Sequence, residues 1–262
     1  MTTTMRVIGN EAYKALIHLW SYRYNSLAEM LQRSIVFLAI GFFLGMGTID
    51  PQQMAFVLPG WMMTFYARII LFQVNDSISG EAMTGTLEQM YMSPVWSGLL
   101  LLGRVFAILI VATITVFLSA AVLVLLVGIR LQLRWDVLPI IGLTLTGLFG
   151  FSFLLGGAAL LFKNVRAIAD LLQDLILFVN GTVVPIALMP AWLRTIGLAF
   201  PTTHGITLMR RVALEDVSLD MLLADGSLLT LLAHSGVYVL GGWLIYALCE
   251  RAARWQGTLG QY

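Results

Sequence analysis

The chain has 262 residues, 59% of them hydrophobic and only 11% charged, with a net charge of +1 and a mean hydropathy of +0.89. A soluble domain carries about 25% charged residues, so this composition belongs to an integral membrane protein, and nothing in the charge points to a nucleic-acid partner. The single cysteine, Cys249, excludes an intrachain disulfide framework and a cysteine-rich metal site.

The first thirty residues are not a signal peptide, because Glu11, Lys14, His18, Arg23 and Glu29 interrupt any apolar core before Leu31. Glu11, Lys14, His18, Ser21 and Asn25 recur at spacings of three and four. Ile8, Ala12, Ala15, Leu16, Leu19, Trp20 and Leu27 fall mostly on the other side. With Trp20, Tyr22 and Tyr24 suited to the headgroup region, residues 1–30 read as an amphipathic helix lying on the membrane. The alternative, a helix packed on its own soluble domain, has no soluble domain to pack against.

Beyond it the apolar blocks are counted against the ~20 residues a spanning helix needs. They run Leu31 to Thr48, Met54 to Val74, Leu99 to Ile129, Val137 to Phe162, Leu171 to Met189 and Leu228 to Cys249. Six spans put both termini on one side, and the long third block must tilt or project. With the N-terminus inside, ten basic residues flank the cytoplasmic ends and five (Arg130, Arg134, Arg194, Arg210, Arg211) lie outside, the bias expected of that orientation.

Between the second and third blocks lies a polar interruption from Ser79 to Pro94, within a cytoplasmic loop at 75–97. It reads as a short helix across the ends of two spans. Thr84 or Thr86 caps its start, Glu88 sits in its first turns where the macrodipole favours a carboxylate, and Pro94 ends it. Two or three helical turns are marginal alone, so headgroups or a partner must hold them.

The second specific stretch follows the fifth block. Gly181 to Pro185 leads to Met189-Pro190-Ala191-Trp192-Leu193, then to Phe200-Pro201-Thr202-Thr203 and Arg210-Arg211. Trp192 to Phe200 is too short to cross, and Pro185, Pro190 and Pro201 break it into pieces. Non-helical backbone at membrane depth needs protein or water around it, so a short external re-entrant hairpin within the segment 190–227 fits, with an ordinary outside loop as the alternative.

Glu81, Gly85, Thr86-Leu87-Glu88-Gln89 and Ser93-Pro94, together with the Pro-Trp-Pro region, resemble the type-2 family of ATP-binding-cassette exporter permeases, although Met189 stands where leucine is usual. The resemblance covers nearly the whole chain. It implies an all-α fold: a single transmembrane permease domain over 1–262, six spans, an N-terminal interfacial helix, a cytoplasmic coupling helix and an external re-entrant hairpin. It also implies that Glu81, Thr84, Gly85, Thr86, Leu87, Glu88, Gln89, Ser93 and Pro94 dock a separate cytoplasmic ATPase. ATP and magnesium then belong to that partner, and this chain binds no cofactor. By the same resemblance it is half of a transporter, a homodimer or a heterodimer with a similar permease, in a bacterial or archaeal inner membrane with both termini cytoplasmic.

Motifs for chemistry are absent. Neither Lys14 nor Lys163 follows a glycine, so the chain has no phosphate-cradling loop. His18, His204 and His234 are far apart in sequence, with no second ligand at helical spacing, so each reads as a lone polar group rather than a metal ligand. Arg68 lies ~9 Å inside the second block, within snorkelling reach of headgroups, or else faces the bundle interior. Asp170 and Asp174 suit a helix start, with a buried functional role open for Asp174. Gly41, Gly45, Gly142, Gly147, Gly150, Ser152, Gly156 and Gly157 offer small faces for close helix packing.

Phe65, Arg68, Asp174, Phe178 and Asn180 are the candidate pathway residues. Phe56, Trp61, Phe65, Tyr66 and Phe72 with Met54, Met62 and Met63 make an adaptable apolar wall, which suits a drug or lipid-like molecule better than a polysaccharide or glycolipid. A channel or a carrier not driven by ATP would explain the spans but not the stretch from Ser79 to Pro94.

Overall fold

The computed structural model describes residues 2–83, 97–130, 134–161, 171 and 175–256. Among them there is no strand; long helices dominate because apolar runs in this chain are uninterrupted by polar turns. Helix α1 covers Thr2–Ser21 and α2 covers Arg23–Leu44. They meet at Tyr22, whose φ of −103° and ψ of 27° bend the chain. Tyr22 N–H still donates to His18 O at 2.9 Å and Ser26 N–H to Tyr22 O at 3.0 Å, so the junction is a bend and not a loop.

This moves the end of the surface helix expected over 1–30. Residues 23–30 are the first turns of α2, because no proline or glycine stops the ladder there and their polar groups satisfy one another. Arg33 pairs with Glu29 at 3.0 Å, and Asn25 Nδ2 donates to Glu29 at 3.1 Å. Helix α1 also has a protein partner. It packs along α4 (Ser97–Val127), where Glu11, Ala15 and His18 share a cavity with Arg104, Ala107 and Ile108. Tyr13, Ile17 and Trp20 remain exposed on its other side, an aromatic face of the kind that sits at headgroups.

Helix α3 (Pro51–Met83) is the axis of the molecule. Its 33 residues reach about 50 Å at 1.5 Å each, well beyond a ~30 Å hydrocarbon layer. Residues 75–83, read from the sequence as the start of a loop, therefore continue the helix. A helix that is apolar all round belongs inside a protein. Accordingly 83% of the apolar window of α3 is buried, against 17–44% for the other four helices of spanning length.

Those four are α2, α4, α5 (Val137–Leu161) and α9 (Ser227–Gln256), giving five helices long and apolar enough to cross among the described residues. The remaining apolar block is described at Leu171 and from Leu175 on, where 175–179 are helical and the chain then bends at Asn180. Helices α5 and α9 form the tightest pair. A Cβ on Gly150 would stand 2.3 Å from the Tyr238 carbonyl carbon, and one on Gly242 would stand 2.0 Å from Gly150 O. Of the small residues read from the sequence, Gly147, Gly150 and Gly157 do make such contacts, whereas Gly142 faces open space.

After the bend comes a 3-10 turn at Ile186–Leu188, then α6 (Ala191–Ala199), α7 (Pro201–Leu214) and α8 (Leu219–Ala224). Pro201 occupies the first turn of α7, where its missing N–H costs nothing. Helix α7 packs against α3, α5 and α9, which brings the end of this segment back onto the bundle axis.

Candidate functional site

Two polar clusters lie along α3. The first surrounds Pro59, which sits inside the helix and has no N–H to give its preceding turn. The carbonyl that loses its helical donor is Ala55 O, four residues back. Arg210 of α7 binds the same turn one residue further on: its Nε donates to Phe56 O at 2.9 Å, Nη1 to Gly181 O at 2.6 Å and Nη2 to Thr182 O at 2.9 Å. Its guanidinium also lies 3.6 Å from the Phe56 ring centroid, a cation over an aromatic face.

Arg210 is only 8% exposed. No carboxylate pairs with it among the described residues, so three carbonyl dipoles and one ring hold a buried cation. Arg210 is thus buried within the bundle, while its neighbour Arg211 reaches the surface. Arg211 pairs with Asp225 at 2.7 Å on the partly exposed surface. Adjacent residues on a helix point about 100° apart, so only one of the two could face out. That geometry, together with Pro59 and the glycine-containing bend, is the signal that could have singled out Arg210.

The same cluster fixes the bend at Asn180–Thr182. Gly181 has φ +84°, a left-handed conformation glycine adopts without strain. Asn180 Nδ2 donates to Thr64 Oγ1 at 2.8 Å, and the Thr64 and Thr182 hydroxyls share a hydrogen bond at 2.9 Å. Asn180 Oδ1 accepts from Thr182 N–H at 3.0 Å. A Cβ on Gly60 would come within 2.7 Å of Thr182 Cα, so glycine there is what lets the bend touch α3. Asn180 thus belongs with Thr64, Thr182 and Arg210.

The second cluster lies between α2 and α3, two helices in light contact. Two adjoining cavities, of about 380 and about 50 Å³, share Arg33, Val36, Trp61 and Arg68 in their walls. Phe65, Thr64 and Leu177 line the smaller and Glu29, Phe72 and Gln73 the larger. The Arg33 guanidinium lies 4.1 Å from the Phe65 ring centroid, folded across the groove. Trp61 and Phe65 are buried and Arg68 is exposed at the groove wall.

Of the expected pathway residues, the structure thus joins Phe65 and Arg68 in one groove. Asn180 stands in the neighbouring network, linked through Thr64. Phe178 is 63% exposed and does not line either cavity; Leu177 does. Asp174 lies outside the described residues. So do Thr84, Gly85, Thr86, Leu87, Glu88, Gln89, Ser93 and Pro94, while Glu81 falls in the last turn of α3.

The histidines also need correction. His204 and His234, distant in the chain, have ring centroids 4.7 Å apart, because α7 folds back on α9. His204 Nε2 is 3.1 Å from Leu198 O and His234 Nε2 is 3.0 Å from Ala199 O. Burial first, and then the neighbouring His234, hold the His204 imidazole below its usual range. Among the described residues no three His, Cys, Asp or Glu side chains gather as a metal site.

Among the described residues, five helices of spanning length, four of them set about the buried axial α3, define an integral membrane protein. The chain belongs to the ABC-2 type transporter family, whose pattern matches residues 12–214, from α1 to the end of α7. It is similar to a protein of Escherichia coli K12 described as "Probable multidrug ABC transporter permease YbhR", with 26% identity over 175 residues. That alignment takes in 63% of this chain and 45% of the relative. The protein of the same description from Escherichia coli O157:H7 matches to the same extent. The chain therefore spans less than half the length of these curated relatives.

Proposed function

We propose that this chain is the membrane permease of an ATP-driven exporter. It moves a hydrophobic or amphiphilic, drug- or lipid-like molecule outward on the ATP hydrolysis of a separate cytoplasmic subunit. The observation that carries this reading is the family match over 12–214, which takes in both the stretch from Ser79 to Pro94 and the bend held by Arg210. The relatives described as multidrug permeases support the substrate class.

In this reading six spans cross an inner membrane with both termini cytoplasmic, the sixth coming from the block Leu171–Met189. Residues 190–227 form an external, partly re-entrant segment. Two such chains, or this one and a similar permease, enclose the pathway. Exposed apolar side chains such as Ile35, Phe43, Leu171 and Phe178 offer surface for that second chain. The ATPases carry ATP and magnesium. Their closure moves Glu81, Thr84–Gln89, Ser93 and Pro94, and the long rigid α3 carries the push toward the Thr64–Asn180–Arg210 cluster.

The test is reconstitution with the cognate ATPase. ATPase activity is expected to rise with hydrophobic amphiphiles and not with lipid-linked glycans alone. Glu88→Lys is expected to leave the protein inserted but to abolish both co-purification and transport, since a surface charge reversal disturbs a docked polar contact far more than a fold. Glycan-only stimulation would reassign the substrate, and unchanged docking and transport by Glu88→Lys would remove the coupling assignment.

A further inference from the structure

We propose that the groove between α2 and α3 is a binding site for the anionic headgroup of an amphiphile, gripped by Arg33 and Arg68 with its tail along Trp61, Phe65 and Phe72. The proposal refines the substrate side of the exporter reading and rests on that reading only for what the ligand does, not for whether it binds. Arg33 and Arg68 come from different helices and line the same two cavities. Two cations beside apolar walls repel one another, and a fold that places them so leaves their attraction for an anion unspent.

The charges in the groove do not cancel. Glu29 is already engaged by Arg33 at 3.0 Å and by Asn25 at 3.1 Å. No carboxylate pair with Arg68 stands among the described residues, so the described lining of the groove carries two guanidinium groups against one carboxylate. Its space is sized for a headgroup: about 380 Å³ with polar walls of Glu29, Arg33, Arg68 and Gln73, narrowing to the apolar contacts of Trp61 and Phe65. Guanidinium groups bind phosphate and carboxylate through paired N–H donors, and basic pockets between membrane helices take anionic lipid headgroups.

A simple snorkelling account would have both arginines extended to bulk headgroups. Arg33 does not extend; it lies over the Phe65 ring at 4.1 Å, aimed across the groove. The shared chemistry is a phosphate or carboxylate on an apolar tail, supplied either by the surrounding leaflet or by the transported cargo.

The test uses the full chain purified in a neutral detergent, with phosphatidylglycerol and phosphatidylcholine as probes and retained lipid counted by native mass spectrometry. Wild type is expected to retain phosphatidylglycerol about tenfold better than phosphatidylcholine, the scale of one charge-assisted contact. Arg68→Gln, an exposed position that should not disturb folding, is expected to remove most of that preference, as is Arg33→Gln. Glu29→Gln is expected to strengthen it by removing a competing anion, and Arg130→Gln, an exposed arginine beyond α4, to leave it unchanged. Equal retention of the two lipids by wild type, or an unchanged preference in Arg68→Gln, would overturn the site.

A second arm separates the sources in the complex with the ATPase. If the ligand is cargo, Arg68→Gln raises the concentration of an alkyl phosphate needed for half-maximal ATPase stimulation; if it is leaflet lipid, stimulation by cargo is unchanged while retention is lost. Either result supports the site. Selective retention in a complex whose ATPase answers to no amphiphile would sink the exporter reading and leave the site standing.

Discussion

Replacing Arg210 with methionine removes a side chain that ties α7, the bend at Gly181–Thr182 and the turn before Pro59 together. Methionine keeps most of the volume, so the loss is in hydrogen bonds. Phe56 O lies in a helix, but Gly181 O and Thr182 O sit in irregular backbone where Arg210 supplies donors at 2.6 and 2.9 Å. Leaving a buried acceptor unmet costs about 1–3 kcal/mol, hence about 2–6 for the two. Removing a buried cation with no anion partner among the described residues returns the part of its desolvation cost that the carbonyls and the Phe56 ring leave uncompensated, about 1–2 kcal/mol. The net is a destabilisation of about 3 kcal/mol, or a fall in Tm of roughly 6–12 °C for a chain of this size. Arg210→Lys is expected to fall between the two, because an ammonium cannot reach three carbonyls with the geometry of a planar fork. Scanning fluorimetry in detergent gives the Tm, and limited proteolysis around residues 180–190 shows whether the bend loosens. An Arg210→Met protein melting within about 2 °C of wild type, a shift below 1 kcal/mol, with the bend equally protected, would refute the claim that this arginine holds the bend.

Gly150→Leu is expected to separate α5 from α9 and to lower Tm by several degrees, since even a Cβ there meets Tyr238 backbone at 2.3 Å; Gly142→Leu, which faces open space, serves as the comparison and should be near neutral. Overpacking of that kind typically costs about 1–3 kcal/mol. Because burial and His234 lower the His204 pKa, the unfolded chain binds more protons than the folded one as pH drops below about 6.5. Stability is therefore expected to be full above that pH and to decline as pH falls, until folded His204 protonates too. His204→Gln should flatten the difference in Tm between pH 7.5 and 5.5, and an unaltered slope would show that other groups cause it. In a Cys249→Ala background, a cysteine at Thr86 is expected to react with an impermeant thiol reagent only from the cytoplasm and one at Trp192 only from outside; labelling of both from one side would contradict six spans.

Composition alone determined that this is a membrane protein, because apolar runs of spanning length and a charge content of 11% admit no soluble core. The family was legible too, in Glu81, Gly85, Thr86-Leu87-Glu88-Gln89 and the prolines at 185, 190 and 201, since turn-breaking residues and polar interruptions are local features. Helix boundaries were less so. The junction at Tyr22 carries no proline or glycine, and the run 75–83 reads as polar loop although it continues α3.

What tertiary structure decided was which distant residues meet. His204 and His234 meet though 30 positions apart, and Arg210 reaches Phe56 from 154 residues away. Arg33 and Arg68 share a groove only because α2 leans lightly on α3. In a membrane chain nearly every helix is apolar all round, so periodicity tells which stretches are helical but not which face turns inward. That choice is made by close packing at glycines and by the need of buried carbonyls and guanidinium groups for partners. Both requirements become visible only when the helices are brought together.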